Sequence, residues 1–304
     1  MKKFILKLLL FFLICAVLDV AVGYAATALQ KSSKGGLTHK DEFIKTEMNA
    51  DIVVMGSSRA SHHYVSNLIA DSLGCSVYNA GMDGKGIIMN YGVLLEITKR
   101  YNPKTIIYEL TPEFDWVKGD NEKYLAHLRH AYDITGIDSI FWEVNLNERI
   151  KMLSSSYRNN SLVPHLIYDN LIAQIDTLNG YIPLGGVYKP SEIRKESTEN
   201  FTKEDDVDLL KARYLQRFIN LCVDKDINLI FAISPIFPNS GHNYEFGEEM
   251  ARNNDIKIID YRKMNTSFKF NDKKIYQDRY HMNNDGATLY SSMIISYLND
   301  IKNR

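Results

Sequence analysis

The sequence predicts a three-layer α/β/α domain on a five-stranded parallel sheet, carrying a helical insertion and preceded by an apolar N-terminal helix. Three observations predict it. Five short runs, "DIVVM" (51–55), "SVYNA" (76–80), "TIIYEL" (105–110), "INLIFAI" (227–233) and "IKIID" (256–260), are nearly continuous in hydrophobicity. Strands covered on both faces read this way, whereas half-exposed strands alternate. Longer stretches of helical periodicity separate the runs, and that alternation builds parallel sheets. With 304 residues, 45% of them hydrophobic, the chain can bury a large core without disulfide staples.

At the N-terminus, Lys2, Lys3 and Lys7 precede an apolar stretch from Leu8 to Leu29 interrupted by Asp19. A bilayer-spanning helix needs about 20 such residues. Ala26-Thr27-Ala28 offers a small-residue cleavage pattern, but far downstream of where the apolar run starts. An uncleaved anchor over residues 1–29 is therefore favoured over a cleaved signal peptide, and either one exports the rest of the chain. The expected location is the cell inner membrane, crossed once, with the globular part on the periplasmic side. Lysines on both flanks (Lys2, Lys3; Lys31, Lys34) leave the positive-inside rule nearly silent. Polar, glycine-containing residues 30–42 read as a linker, with the α/β domain spanning 43–304.

Further along, "TKEDDVDLLKARYLQRFINLCVDKD" opens with Thr202 as the expected N-cap and acidic residues in its first turn. Val207, Leu210, Tyr214, Phe218, Leu221 and Cys222 form its apolar stripe. The last helix repeats the pattern with Ala287, Tyr290, Ile294, Tyr297, Leu298 and Ile301. The interval between Leu110 and Ile227 is too long for one crossover. It reads as a mostly helical insertion, about 112–200, over the sheet end where ligands bind in α/β folds.

Composition excludes several functions. A net charge of −1, without a basic run interleaved with aromatics, gives no nucleic-acid surface. Cys15, Cys75 and Cys222 are too few and too scattered for a disulfide framework or a zinc site. The glycines of "GMDGKG" lack the spacing of a dinucleotide or phosphate loop, so no cofactor is expected.

The chemistry gathers at predicted strand ends. Gly56-Ser57-Ser58 follows the first strand and leads into a helix, presenting a serine where free N–H groups and the positive helix end lie close. Alone, this is as readily a turn and an N-cap. Gly81 in "YNAGMDGKGI" follows the second strand, where its N–H can be aimed at the same spot. Asp278 stands three residues before His281 in the loop entering the last helix. A serine needs a base, and the base needs an orienting carboxylate; one segment supplies both. Each feature has a plain structural reading by itself, but jointly they mark one site.

"VVMGSSRA", "YNAGMDG" and "DRYH", in this order, resemble the first, second and fifth blocks of the SGNH (GDSL-like) hydrolase superfamily. The resemblance runs from about Asp51 to the C-terminus, outside the insertion. Behind an N-terminal anchor, the pattern is also similar to envelope proteins of Bacteroides-type bacteria. The resemblance implies a flavodoxin-like sheet in the order 2-1-3-4-5, with Ser58 as nucleophile, His281 as base and Asp278 as its partner. Ser58 and Gly81 would donate to the oxyanion, and Arg59, Asn79 and Thr111 would contact substrate. The implied function is a serine esterase or O-acyltransferase acting on an acylated envelope or exported glycan. The alternative is a protein that kept the fold but binds or assembles glycan without turnover.

Two departures stand out. The family's Gly-Asp-Ser is Gly56-Ser57-Ser58, and its Gly-x-Asn-Asp block is replaced by "YELTPEFDW", with Glu109, Thr111 and Asp115. An oxyanion donor is thereby lost, which costs about 10²–10³-fold in turnover; Thr111, Arg59, Asn159 or Asn160 are the candidate replacements. His62 and His63 point about 100° apart on a helix, so they cannot easily share a metal. A centre from His62, Asp278 and His281 is the third reading. Asp83 and Lys85 are loop residues that can reach substrate. Trp116, Trp142, Tyr132 and Tyr157 read either as a sugar-stacking wall or as aromatic core.

Overall fold

The computed structural model describes residues 1–119, 121, 123–160, 162–173, 175–189, 207–238, 243–264 and 267–302. In chain order the elements are α1 (Lys2–Ser32), α2 (Gly36–Thr46), β1 (Ile52–Gly56), α3 (Ser58–His63), α4 (Ser66–Leu73) and β2 (Val77–Asn79). Next come α5 (Ile87–Thr98), β3 (Thr105–Glu109), α6 (Pro112–Asp115), α7 (Ile137–Val144), α8 (Glu148–Lys151), α9 (Ser155–Asn159) and α10 (Val163–Leu171). The remainder are α11 (Leu209–Asp224), β4 (Asn228–Ile233), α12 (Glu245–Asn253), β5 (Lys257–Asp260) and α13 (Asn284–Lys302). They form two compact units. Met1–Glu47 with Asn121–Asp176 make the first, and Met48–Asp120 with Thr177–Arg304 the second.

The second unit is the α/β domain. Its five strands are all parallel, in the order β2-β1-β3-β4-β5. Val53, Val54, Met55, Ile106, Ile107 and Phe231 are fully buried, as strands covered on both faces must be. Helices α5 and α11 pack together, and α13 packs on α3 and α4. Because β1 lies between β2 and β3, the connections leave it in opposite directions. In α/β sheets such a reversal is where ligands bind, and here it falls at the carboxyl ends of β1 and β3, where the register pairs Gly56 with Glu109.

The expected cap of α11 is replaced by another. Asp208 closes it, its carboxylate accepting from the N–H groups of Leu210 and Lys211, while Thr202 lies outside the described residues. The buried stripe of α11 runs through Lys211, Tyr214, Leu215, Phe218, Ile219 and Cys222. In α13, Ala287, Tyr290 and Ile294 are fully buried, on the expected face.

The first unit corrects the linker. Residues 36–46 are helix α2, with Lys40, Asp41 and Ile44 buried. The Thr38 N–H donates to Asp169 Oδ2 at 2.8 Å, and Gly36, at φ +71°, has no room for a Cβ, which would come within 2.1 Å of the same carboxylate. Local polarity suggested a linker because the partners of these polar groups lie 130 residues away in sequence. Among its described residues the inserted segment is mostly helical up to Leu171, as expected, and residues 190–200 of it lie outside the described residues; the compact body it builds is Asn121–Asp176 together with the N-terminal helices. Helix α1 is long and apolar enough to cross a membrane, with a mean hydropathy of 2.7 over its best window; a signal sequence passes the same test.

Candidate active site

The site starts from the turn after β1. Gly56 has φ +137°, and a Cβ there would meet the Glu109 carbonyl at 2.8 Å, so only glycine lets β1 end this close to β3. Gly56→Ala is expected to lower unfolding free energy by about 1–3 kcal/mol, read as a lower Tm of the full-length protein. Ser57 caps the six-residue α3 in extended conformation and Ser58 opens it, so the Ser58 N–H has no intrahelical acceptor.

The loop before α13 delivers the histidine. Asp278 Oδ1 accepts from the N–H groups of Tyr280 (2.8 Å) and His281 (2.9 Å), a local turn that holds the carboxylate. The same carboxylate meets His281 Nδ1 at 2.9 Å, and His281 Nε2 lies 2.8 Å from Ser58 Oγ. Burial pushes the Asp278 carboxyl up, but the hydrogen bond and charge of His281, with the two backbone N–H groups, hold it below its ordinary value. An ionised Asp278 places the imidazole proton on Nδ1, which leaves Nε2 to accept the Ser58 hydroxyl proton. Residues 58 and 281, 223 positions apart, thus meet at hydrogen-bond distance, both half-buried and within reach of solvent.

Beneath them is a network that sequence reasoning missed. The Met282 N–H, next to His281, donates to His63 Nε2 at 3.0 Å. His63 Nδ1 then donates to Ser234 Oγ (2.7 Å), and Ser234 donates through Oγ (2.6 Å) and N (3.0 Å) to Glu109 Oε1. The Tyr64 hydroxyl donates to the other Glu109 oxygen, and Arg59 Nε lies 3.5 Å from the carboxylate. Burial, then the neighbouring His281 and Arg59, push the His63 imidazole well below its ordinary value. A neutral ring can accept from Met282 and donate to Ser234 at once, which orients the loop carrying His281. Adjacent histidines in sequence give no hint that one faces inward to do this. The one signal was the departure "YELTP", where Glu109 replaces the family block.

Glu109 is fully buried; burial pushes its carboxyl up, while Arg59, Ser234 and Tyr64 oppose this. Glu109→Ala strands Arg59 and three donors in the interior, and should cost about 3–5 kcal/mol of stability by chemical denaturation. Glu109→Gln, which keeps the shape, should cost less.

The other named residues are placed differently from expectation. The Arg59 guanidinium is 4% exposed and turned inward, donating to the Tyr244 hydroxyl (2.7 Å), Thr111 Oγ1 (3.2 Å) and the Leu110 carbonyl. Asn79 is fully buried: Nδ2 donates to the Ala60 (2.7 Å) and Tyr64 (3.2 Å) carbonyls, and Oδ1 accepts from the Gly81 N–H at 2.9 Å. These contacts correct the substrate-binding expectation for Arg59, Asn79 and Thr111, whose side chains are buried and already engaged. They also correct Gly81 as an oxyanion donor, because its N–H is committed to Asn79. A Cβ on Gly81 would sit 2.5 Å from the Ser61 nitrogen, so the glycine serves close packing against α3.

Asn159 and Asn160 belong to the first unit, where they bond the Ser155 carbonyl and Arg129. Asp115 is buried, holding the Thr111 N–H at 2.6 Å and the Tyr108 hydroxyl at 2.7 Å, and burial pushes it up to about 7. His62 Nδ1 meets the Ile182 carbonyl at 2.7 Å and Nε2 meets the exposed Asp83 at 3.2 Å. No group of three or more metal-ligand side chains is assembled among the described residues. Trp116 is core, packed on Tyr244 and Phe246, whereas Trp142, Tyr132 and Tyr157 belong to the first unit.

No protein-family model matches the sequence, and no curated protein does. Among solved structures, the chain is similar to a lipolytic protein of the G-D-S-L family from Desulfitobacterium hafniense DCB-2, at 10% identity and a TM-score of 0.41, over 81% of this chain and 97% of that one. It is also similar to a two-domain esterase active on acetylated mannans, co-crystallised with mannopentaose, at 11% identity and a TM-score of 0.42. That match covers 90% of this chain and 56% of the esterase.

Proposed function

We propose that this protein is a membrane-anchored, serine-dependent ester hydrolase or O-acyltransferase of SGNH type. The observation that carries the reading is the Asp278–His281–Ser58 relay, two hydrogen bonds at 2.9 and 2.8 Å. Ser58 Oγ attacks an ester carbonyl as its proton passes to His281 Nε2, and the developing oxyanion faces the free Ser58 N–H. Collapse breaks the carbonyl–oxygen bond of the leaving alcohol, which takes the proton back from His281. Water then releases the acid, or a sugar hydroxyl takes the acyl group. Asp278 orients the ring and stabilises it when charged. The substrate class, an O-acyl group on an envelope or exported glycan, follows from α1 as an inner-membrane anchor that leaves the α/β domain on the periplasmic side.

A second reading has its own support. The Gly81 N–H donates to Asn79, the Thr111 N–H to Asp115, and the Arg59 guanidinium to Tyr244, Leu110 and Thr111, so these donors are spent inside the protein and the Ser58 N–H remains. A site this short of donors suits a glycan-binding or assembly role with impaired turnover. Intact mass after incubation with an activated acetate ester separates the two. An acetyl adduct on wild type and none on Ser58→Ala supports the enzyme; no adduct on either, with glycan binding that Ser58→Ala leaves unchanged, supports the binder.

A further inference from the structure

We propose that the turn Leu146–Leu153 of the insertion lies in the interfacial layer of the bilayer, beside the point where α1 leaves it. The inference rests on the reading of α1 as a membrane anchor. Backbone hydrogen bonds run through this stretch as successive helical turns, from Glu148 N–H to the Asn145 carbonyl through Leu153 N–H to the Ile150 carbonyl. Leu146, Ile150 and Leu153, spaced i, i+4 and i+7, therefore share one face. That face is bare: the three side chains are 69%, 74% and 78% exposed. The opposite face is buried and holds the carboxylate Glu148 with Met152. This inverts the usual order of a water-facing helix, in which the apolar stripe goes inward.

Its level along α1 is set by hydrogen bonds. Every residue of α1 up to Leu18 is exposed, and the first that is not is Asp19. Ser154, which follows Leu153 directly, donates through Oγ to Asp19 Oδ1 at 2.6 Å, and the N–H groups of Ser155 and Ser156 donate to the same carboxylate at 2.7 and 2.9 Å. From Lys2 to Asp19 a helix extends about 27 Å, near the roughly 30 Å of a bilayer's hydrocarbon core, with Lys2, Lys3 and Lys7 long enough to snorkel to the inner boundary. Asp19 then stands at the outer boundary, with its charge satisfied by the insertion rather than left to lipid. The stripe lies beside it. Arg149 flanks the stripe and can reach phosphates, stacking at 4.7 Å on Trp142, a residue type that favours this layer, while the Lys151 ammonium is held at 2.8 Å by the buried Glu148. The bare face thus continues the lipid-facing surface of α1, and a lipid bilayer is the occupant that serves both.

The test uses the full-length chain with Cys15 and Cys75 replaced by Ser; Cys222 is buried, and burial pushes its thiol up to about 12, so it does not label. Single cysteines at Phe12, Ile150, Leu153 or Val223 carry the fluorophore NBD, in nanodiscs of phosphatidylcholine and phosphatidylglycerol containing doxyl-labelled lipid. Labels at 150 and 153 should be blue-shifted and quenched more by doxyl at carbon 5 than at carbon 12. The label at 12 should show the reverse order, and the one at 223 no quenching. Adding Leu146→Asp and Leu153→Asp should remove the quenching at 150. If 150 and 153 behave like 223 while 12 is quenched, the interfacial turn is overturned and the anchor stands. An unquenched 12 overturns the anchor itself. A blue shift at 150 and 153 that requires an added membrane extract, in place of lipid alone, overturns lipid as the occupant and assigns a protein partner.

Discussion

Ser58→Ala should abolish labelling of the full-length, detergent-solubilised protein by a fluorophosphonate probe, and lower kcat/KM for an aryl acetate by at least about 10³-fold. The size follows from what the residue supplies. Ser58 Oγ is the atom to which the acyl group would be bonded, and among the described residues no other hydroxyl is placed against His281 Nε2. What remains after its loss is binding and one backbone donor, which by themselves give only modest acceleration over water. Unchanged labelling of the variant would remove Ser58 from the mechanism, and with it the reading of this site as a covalent one.

Asp278→Asn should lower kcat on the same ester by about 10³–10⁴-fold while leaving KM within a few-fold. The amide can donate to Nδ1, which favours the tautomer whose Nε2 carries the proton and cannot accept one from Ser58. Thermal stability should change little, because Asp278 sits in a half-exposed turn. A second arm tests whether the three side chains act as a unit. His281→Ala should cost about as much as Ser58→Ala, and the double variant no more than either alone. Additive losses would mean that His281 acts on something other than Ser58.

The α/β domain was legible because its strands are buried on both faces, and burial writes itself locally as an unbroken apolar run. Each of the five strands lies within one residue of the run that predicted it. The meeting of Ser58, His281 and Asp278 was legible for a different reason: each alone reads as a turn or a cap, but three such features at the ends of one predicted sheet point to the same place. Helix α2 was not legible. Its Lys40 and Asp41 are buried, and nothing within residues 30–42 reveals that Asp169 will meet the Thr38 N–H.

Gly81 and Asn79 show the same limit at the site. The sequence places a glycine with a backbone N–H at the end of β2, which is what an oxyanion donor needs. Whether that N–H is free depends on where the Asn79 side chain turns, and it turns back onto it. His63 and Glu109 are a further case, because their pairing runs through Ser234, more than 120 residues away from either.

By itself, then, the chain determined which segments are apolar enough to become strands, which helix suits a membrane, and which hydroxyl, imidazole and carboxylate stand at strand ends and loops. Only the tertiary structure decided which polar groups are spent on one another. Hydrophobic burial is proportional to area and adds up along a segment, so it can be read locally. A hydrogen bond is directional and needs one particular partner, and here some of those partners, Ser234 for His63 and His281 for Ser58, arrive from distant segments of the chain.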